Sequence, residues 1–168
     1  MLMNALGRRV GKQMLNRMAL VNTPSRGIKL HEYQAGALLD SYRVAIPLGE
    51  VAFTADEAHK IASKFDNGCV VKSQILGGGR GMGHIKETGY QGGVKLVDTP
   101  EQAKAVASEF LGNRLVTKQS GEDGLPVNCV YLVQKIAIAK EMYLSLTLDR
   151  AGGCPVFIYS PEGGMSIE

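Results

Sequence analysis

Within residues 69–83 a lysine precedes a glycine-rich segment and an arginine lies at its centre, and these residue types could bind phosphate. An apolar run at residues 69–73 carries Lys72, and three consecutive glycines then lead to Arg80. Glycine lets the main chain approach an anion without an intervening Cβ, and its N–H groups turn partial positive charge towards that anion. Lys72 and Arg80 would add two full charges. The pattern therefore predicts a strand and a loop that hold the phosphates of a nucleotide.

Two well-known phosphate motifs are excluded for this segment. No lysine followed by Ser or Thr closes a P-loop, and the spacing Gly-x-Gly-x-x-Gly does not occur. The ordinary alternative is a flexible surface loop after a buried strand. Solvated linkers usually contain Ser, Pro or acidic residues, whereas this segment has a lysine at the preceding strand end and an arginine at its centre, which favours the phosphate interpretation.

Alternating helical and extended patterns surround the segment and must position it. Predicted helices cover residues 30–42, 54–65 and 99–110, and the last two begin at the capping residues Thr54 and Thr99. Predicted strands cover residues 44–53 with a bend at Pro47, 69–73, 115–119, 128–134, 141–148 and 155–159. Crossover helices followed by a late hairpin predict an α/β (α+β) fold with a mixed sheet and flanking helices.

The positive charge of the chain is concentrated at its N-terminus. The chain has 168 residues, and six of its 19 basic residues precede the first acid, Glu32, so the remaining 13 are fewer than the 16 acids. Residues 1–27 contain arginines but no acids, and apolar residues recur there every fourth position. This is typical of a mitochondrial-type transit peptide, although an amphipathic helix packed on the domain would look similar. Because no basic stripe with interleaved aromatics follows, we expect no nucleic-acid partner, and no segment is apolar enough to suggest a membrane span.

The cysteines and histidines show no catalytic or metal-binding spacing. The three cysteines lie far apart without a Cys-x-x-Cys pair, and the three histidines have no ligand-like partners nearby. We therefore assign no catalytic residue and no metal ligand within this chain.

Seven short motifs in one order carry a family resemblance. They occupy residues 30–34 (LHEYQ), 70–74 (VVKSQ), 78–81 (GGRG), 92–96 (GGVKL), 115–119 (LVTKQ), 139–144 (AKEMYL) and 163–168 (GGMSIE). Together they resemble the N-terminal, ATP-grasp portion of the β subunit of succinyl-CoA synthetase (succinate–CoA ligase). That family joins succinate and CoA at the expense of ATP or GTP, through a phosphohistidine on a separate α subunit.

The resemblance implies roles for particular residues in binding ATP, with GTP possible. It implies that Lys72 contacts the α and β phosphates, and that Gly79, Arg80 and Gly81 form the loop over the nucleotide. It also implies that Glu141 accepts hydrogen bonds from the ribose hydroxyls, for which a solvated surface acid is the alternative.

Two positions depart from the family pattern. Gln134 stands near the base where many relatives have an acid, although its amide can still hydrogen-bond a base edge. Met82 stands where relatives usually carry a lysine, so we expect Arg80 to supply more of the charge at the phosphates.

The resemblance also sets expectations for the molecule as a whole. Residues 28–168 would form the nucleotide-binding domain, incomplete at its C-terminal end, with the Mg²⁺ ligands and the CoA-ligase domain in the missing part. The chain alone would then be inactive, and its partner would be the α subunit in the mitochondrial matrix or a hydrogenosome. Two alternatives stay open: a non-catalytic protein that binds a nucleotide or the α subunit, and part of a malate– or citrate–CoA ligase.

Overall fold

The computed structural model describes residues 28–164. The expected transit peptide at residues 1–27 and the last four residues lie outside this range. The helices are α1 (Glu32–Ser41), α2 (Ala55–Ala62) and α3 (Pro100–Phe110), with a short 3₁₀ turn at Arg80–Met82. The strands are β1 (Gly49–Ala52), β2 (Cys69–Ser73), β3 (His84–Ile85), β4 (Val94–Val97), β5 (Arg114–Val116), β6 (Leu125–Pro126), β7 (Val130–Gln134), β8 (Tyr143–Asp149) and β9 (Cys154–Ser160). The predicted α+β class is confirmed.

A four-stranded sheet in the order β1-β7-β2-β4 forms the centre of the molecule. β1, α2 and β2 make one split βαβ unit with β7 between its strands, and β4, α3 and β7 make a second unit with β2 inserted. Each inserted strand runs opposite to its neighbours. Consequently every strand pair within residues 28–164 is antiparallel, rather than the expected mixture of parallel and antiparallel pairs.

Helices α2 and α3 cover one face of this sheet and enclose the main core. The inward positions of α3 are Ala103, Val106, Ala107 and Phe110, as the 3.6-residue periodicity predicts. They meet alternate strand residues such as Val71, which is fully buried. Burial of this apolar surface is the main source of stability here.

Local signals place the starts of both helices. The hydroxyl of Thr54 accepts a hydrogen bond from the Glu57 N–H, and the hydroxyl of Thr99 accepts one from the Gln102 N–H. Each bond satisfies an N–H group that the first helical turn leaves without a partner. The predicted caps are therefore confirmed.

Helix α1 lies on the opposite face of the sheet. The Tyr33 and Tyr131 rings are 6.4 Å apart, and a Cβ at Gly49 would lie 2.5 Å from the Tyr131 hydroxyl. Because Tyr131 pairs with Lys72 across β7 and β2, α1 also lies over Lys72.

Two smaller sheets complete the described part of the chain. β3, β5 and β6 form a three-stranded sheet beside the glycine loop, and β8 and β9 form a separate hairpin. Between residues 28 and 164 there is no helix with the length and apolar character needed to cross a membrane.

Candidate functional site

The two cations that the sequence singled out meet at one carboxylate. Lys72 Nζ lies 2.7 Å from Glu32 Oε1, and Arg80 Nη2 lies 2.7 Å from Glu32 Oε2. Arg80 Nη1 also donates to the Ser73 carbonyl at 2.8 Å. The Lys72 and Arg80 side chains are about three-quarters buried, so water screens this cluster less than a surface ion pair.

The charge state of Glu32 follows from these contacts. Burial acts to raise the pKa of its carboxyl, but the hydrogen bonds and positive charges of Lys72 and Arg80 outweigh burial and lower the pKa below its ordinary value. Glu32 is therefore a carboxylate at neutral pH, and the three groups together carry one net positive charge.

Backbone hydrogen bonds and a left-handed glycine hold the glycine loop around Arg80 in a defined conformation. Gly79 has φ +73°, a left-handed conformation that glycine adopts without strain. The Arg80 carbonyl accepts a 2.7 Å hydrogen bond from the Gly93 N–H. The Gly93 carbonyl in turn accepts a hydrogen bond from the Ser73 N–H. The end of β2, the loop and the start of β4 are thereby tied together at Arg80.

The loop borders an open cleft of about 880 Å³, which is large enough for a nucleotide. Its walls are the loop backbone, with Gly79, Arg80 and Gly81, and side chains from three other segments. The described residues that line it are Lys29, Leu30, Glu32, Ile75, Leu76, Gly77, Gly78, Gly79, Arg80, Gly81, Met82, Val94, Lys118, Gln119 and Gly164.

Three residues that shape this cleft, Glu32, Lys118 and Gln119, were not assigned a role from the sequence. For Lys118 and Gln119 a usable signal existed, because a cation and an amide follow directly after a strand. Gln119 Oε1 accepts a 2.9 Å hydrogen bond from the Gly78 N–H and so anchors the loop from the other wall. Nothing in the local pattern around Glu32 indicated that it would meet Lys72 and Arg80.

The other two predicted site residues lie apart from the cation cluster. Gln134 pairs with Cys69 at the far end of β2 from Ser73, so its side chain projects from the face opposite to that of Lys72. It lines a separate pocket of about 290 Å³ together with Glu50 and Lys64.

Glu141 lies at the rim of the main cleft. Gly164 lines that cleft, and a Cβ at Gly164 would be 3.6 Å from Glu141 Oε2. The Glu141 carbonyl accepts a hydrogen bond from the Gly163 N–H, which holds the two segments together. The carboxylate is exposed and open to a hydrogen-bond donor.

The described residues do not fit a metal site. No group of three or more His, Cys, Asp or Glu side chains within residues 28–164 is arranged to hold a metal ion. Glu32 is the acid lining the cleft, and its two oxygens already accept from Lys72 and Arg80. Magnesium prefers carboxylate and water oxygens that are free to coordinate it.

Comparison with known proteins identifies a nucleotide-related family and a set of relatives that match most of this chain. The family model described as an ATP-grasp domain matches residues 29–168. The chain is 47% identical over 148 residues to the succinate–CoA ligase [ADP-forming] β subunit of Blastocystis sp. subtype 1, covering 85% of this chain and 35% of that protein. It is 47% identical over 144 residues to the hydrogenosomal [ADP-forming] β subunit of Neocallimastix frontalis, covering 85% of this chain and 33% of that protein.

A third relative is the mitochondrial succinate–CoA ligase [GDP-forming] β subunit of Dictyostelium discoideum. It is 42% identical over 143 residues, which cover 85% of this chain and 34% of that protein. The chain thus spans about a third of the length of the curated relatives it matches. Since the family model covers most of the chain, and the glycine loop and Arg80 line one cleft, this chain belongs to the ATP-grasp domain family.

Proposed function

We propose that this chain is the nucleotide-binding portion of a succinate–CoA ligase β subunit. The proposed reaction joins succinate and CoA and converts ATP or GTP to the diphosphate and phosphate. The observation that carries the proposal is the meeting of Lys72 and Arg80 at Glu32, which together with Arg80 and the glycine loop lines a cleft large enough for a nucleotide. Similarity to both ADP-forming and GDP-forming β subunits supports the substrate class and leaves both nucleotides open.

The proposed roles follow from the charges and donors at the cleft. Lys72 and Arg80 neutralise phosphate oxygens, and the N–H groups of Gly79 and Gly81 add partial positive charge. Glu141, at the rim, accepts from the ribose hydroxyls. Gln134, paired with Cys69 at the opposite end of β2 from Ser73, hydrogen-bonds the base.

Magnesium is proposed as the cofactor because the loaded triphosphate needs charge neutralisation beyond that of two side chains. The described residues offer no ligand set for it, so its ligands would lie outside residues 28–164. The proposed partner is the succinate–CoA ligase α subunit.

Nucleotide binding is the first test of the proposal. We expect calorimetric titration of the purified chain with ADP to show binding that Lys72→Ala weakens by about 1–3 kcal/mol, the usual contribution of a charge-assisted hydrogen bond. The matched control is Lys104→Ala, which removes a lysine paired with Asp56 on the outer surface. Equal affinity in the two variants would contradict the phosphate role.

Turnover distinguishes the proposal from its two alternatives. The assay uses a β subunit that contains this chain and has the full length of its relatives. We expect it to form succinyl-CoA when it is combined with an α subunit, succinate, CoA and ATP or GTP. Binding without turnover would instead support a non-catalytic protein. Turnover with malate or citrate in place of succinate would support a different CoA ligase.

The proposed location is the mitochondrial matrix or a hydrogenosome. The acid-free, arginine-containing composition of residues 1–27 supports it, as do mitochondrial and hydrogenosomal relatives. Bacterial β subunits match as well, so location needs its own test. A reporter fused after residue 27 should enter the organelle, and substitution of Arg8 and Arg9 by Glu should block that import.

A further inference from the structure

Glu32 separates Lys72 from the cleft. Among the described residues, Glu32 and Arg80 line the cleft, but Lys72 does not. The Lys72 ammonium instead lies 2.7 Å from the Glu32 carboxylate. A phosphate in the cleft therefore meets Glu32 before it can contact Lys72.

The Glu32 carboxylate also resembles a phosphate in the contacts that it makes. Its two oxygens accept from an ammonium and from a guanidinium, each at 2.7 Å, which are the donors and distances that phosphate oxygens prefer. Two anions cannot share these N–H groups without repulsion, because like charges a few ångströms apart in a partly buried site repel appreciably.

The position of Glu32 on the fold makes it a separable part of the site. It is the first residue of α1, where a negative charge is favoured by the helix dipole. Helix α1 itself is held by the packing of Tyr33 against Tyr131 and by a hydrogen bond from the Tyr33 N–H to Gln74 Oε1. The carboxylate can thus change partners, with a looser first turn, while the rest of the helix remains packed on the sheet.

We propose that Glu32 occupies the place of a phosphate group, must leave Lys72 when a nucleotide binds, and thereby sets the affinity of the site. This inference rests on the proposed function of the cleft. It implies that the site binds nucleotides more weakly with Glu32 present than without its charge. The opposite arrangement, in which Glu32 stays in place to orient the cations, predicts the opposite change in affinity.

Removal of the charge tests the inference. We expect Glu32→Gln to bind ADP and inorganic pyrophosphate about tenfold more tightly than the unmodified chain, as measured by calorimetry at pH 7. The matched control is Glu101→Gln, which neutralises a first-turn glutamate of α3 that pairs with His59 away from the cleft. Its affinities should equal those of the unmodified chain. An unchanged or weaker affinity of Glu32→Gln would overturn the inference.

A second measurement needs no variant and stands even where Glu32→Gln fails to fold. In hydrogen exchange on the unmodified chain, saturating ADP should slow exchange at residues 77–83 and speed it at residues 32–35, because α1 loses its ionic contact with β2. Slower exchange in both segments would mean that Glu32 keeps its partners, and the inference would be wrong.

The outcomes separate this inference from the proposed function. Binding by the unmodified chain, with no gain in Glu32→Gln, overturns the role of Glu32 and leaves nucleotide binding intact. Absence of ADP binding by the unmodified chain and by Glu32→Gln alike overturns both.

Discussion

Arg80 contributes to the site through its shape as well as its charge. Arg80 lines the cleft, and its side chain joins β2 to α1, because Nη1 donates to the Ser73 carbonyl and Nη2 to Glu32. A lysine at this position would keep the charge but could not reproduce the planar fork.

We expect Arg80→Lys to weaken ADP binding by about 1–2 kcal/mol in calorimetry, because fewer of its charge-assisted hydrogen bonds can form. The control is Arg114→Lys, since the Arg114 guanidinium also donates to two acceptors, the carbonyls of Asp123 and Gly124, but away from the cleft. That variant should lose stability without losing affinity. If Arg80→Lys binds ADP normally, the guanidinium contributes charge alone.

The Glu32 ion pairs should also make folding stability depend on pH. The pKa of Glu32 is lowered in the folded chain, so its pairs with Lys72 and Arg80 stabilise the fold above the ordinary value of 4.5. That contribution is lost as the pH falls from 4.5 through the lower pKa of the folded state. Burial, and after it the charge of the same carboxylate, raises the pKa of the Tyr131 phenol, which stays neutral in this range.

Urea unfolding measures this dependence. At pH 7, Glu32→Gln should lower the free energy of unfolding by about 2 kcal/mol, because two hydrogen bonds to charged donors are weakened. The difference between this variant and the unmodified chain should shrink as the pH falls below 4.5. A difference that stays constant down to pH 2 would show that the carboxylate charge does not stabilise the fold.

At the scale of elements, the glycine loop and β4 are joined where a side chain would not fit. A Cβ at Gly93 would lie 2.5 Å from both Ser73 Oγ and Leu115 Cδ2, and 3.1 Å from the Arg80 carbonyl oxygen. The close approach of Gly93, which precedes β4, to the end of β2 therefore determines the position of the loop that carries Arg80.

We expect Gly93→Ala to lower both stability and ADP affinity, the latter about tenfold, because the loop that carries Arg80 must shift. Thermal unfolding and calorimetry on the same preparations would measure the two effects. Gly36→Ala, within α1, is the contrasting control, because a Cβ there would make only ordinary contacts, the nearest at 3.5 Å from Ile46 Cδ1. It should stabilise the chain by about 0.5–1 kcal/mol and leave affinity unchanged. Unchanged ADP affinity in Gly93→Ala would show that the loop tolerates the shift.

At the scale of the whole molecule, the β8–β9 hairpin presents an apolar face to solvent. The strand register places Leu144, Leu146 and Leu148 opposite Tyr159, Phe157 and Pro155 on one face. The leucines, Phe157 and Tyr159 are 62–73% exposed. A contiguous apolar face of this kind, on a two-stranded sheet with open edges, favours association.

We expect the purified chain to self-associate at micromolar concentrations, as measured by sedimentation velocity. Replacing both Leu146 and Phe157 by Thr should reduce this association, because threonine keeps the strand propensity and removes most of the apolar surface. Ser145→Thr, on the opposite face of the hairpin, should have no effect. A chain that is monomeric without any substitution would contradict this prediction.

The sequence by itself determined the local structure and the two cations. Thr54 and Thr99 cap their helices, and the apolar positions of α3 face the core, because these signals act between residues a few positions apart. The strand of Lys72 and the loop of Arg80 were likewise predicted from neighbouring residues, as was the late hairpin.

Only the tertiary structure decided which residues meet at the site. Glu32 reaches Lys72 across 40 positions and Arg80 across 48, and no local pattern encodes contacts at that separation. Sheet register likewise directs Gln134 to the face opposite Lys72, and the insertion of β7 between β1 and β2 makes the sheet antiparallel. Strand order and register depend on how the whole sheet buries its apolar faces, and they determine which predicted side chains share a cleft.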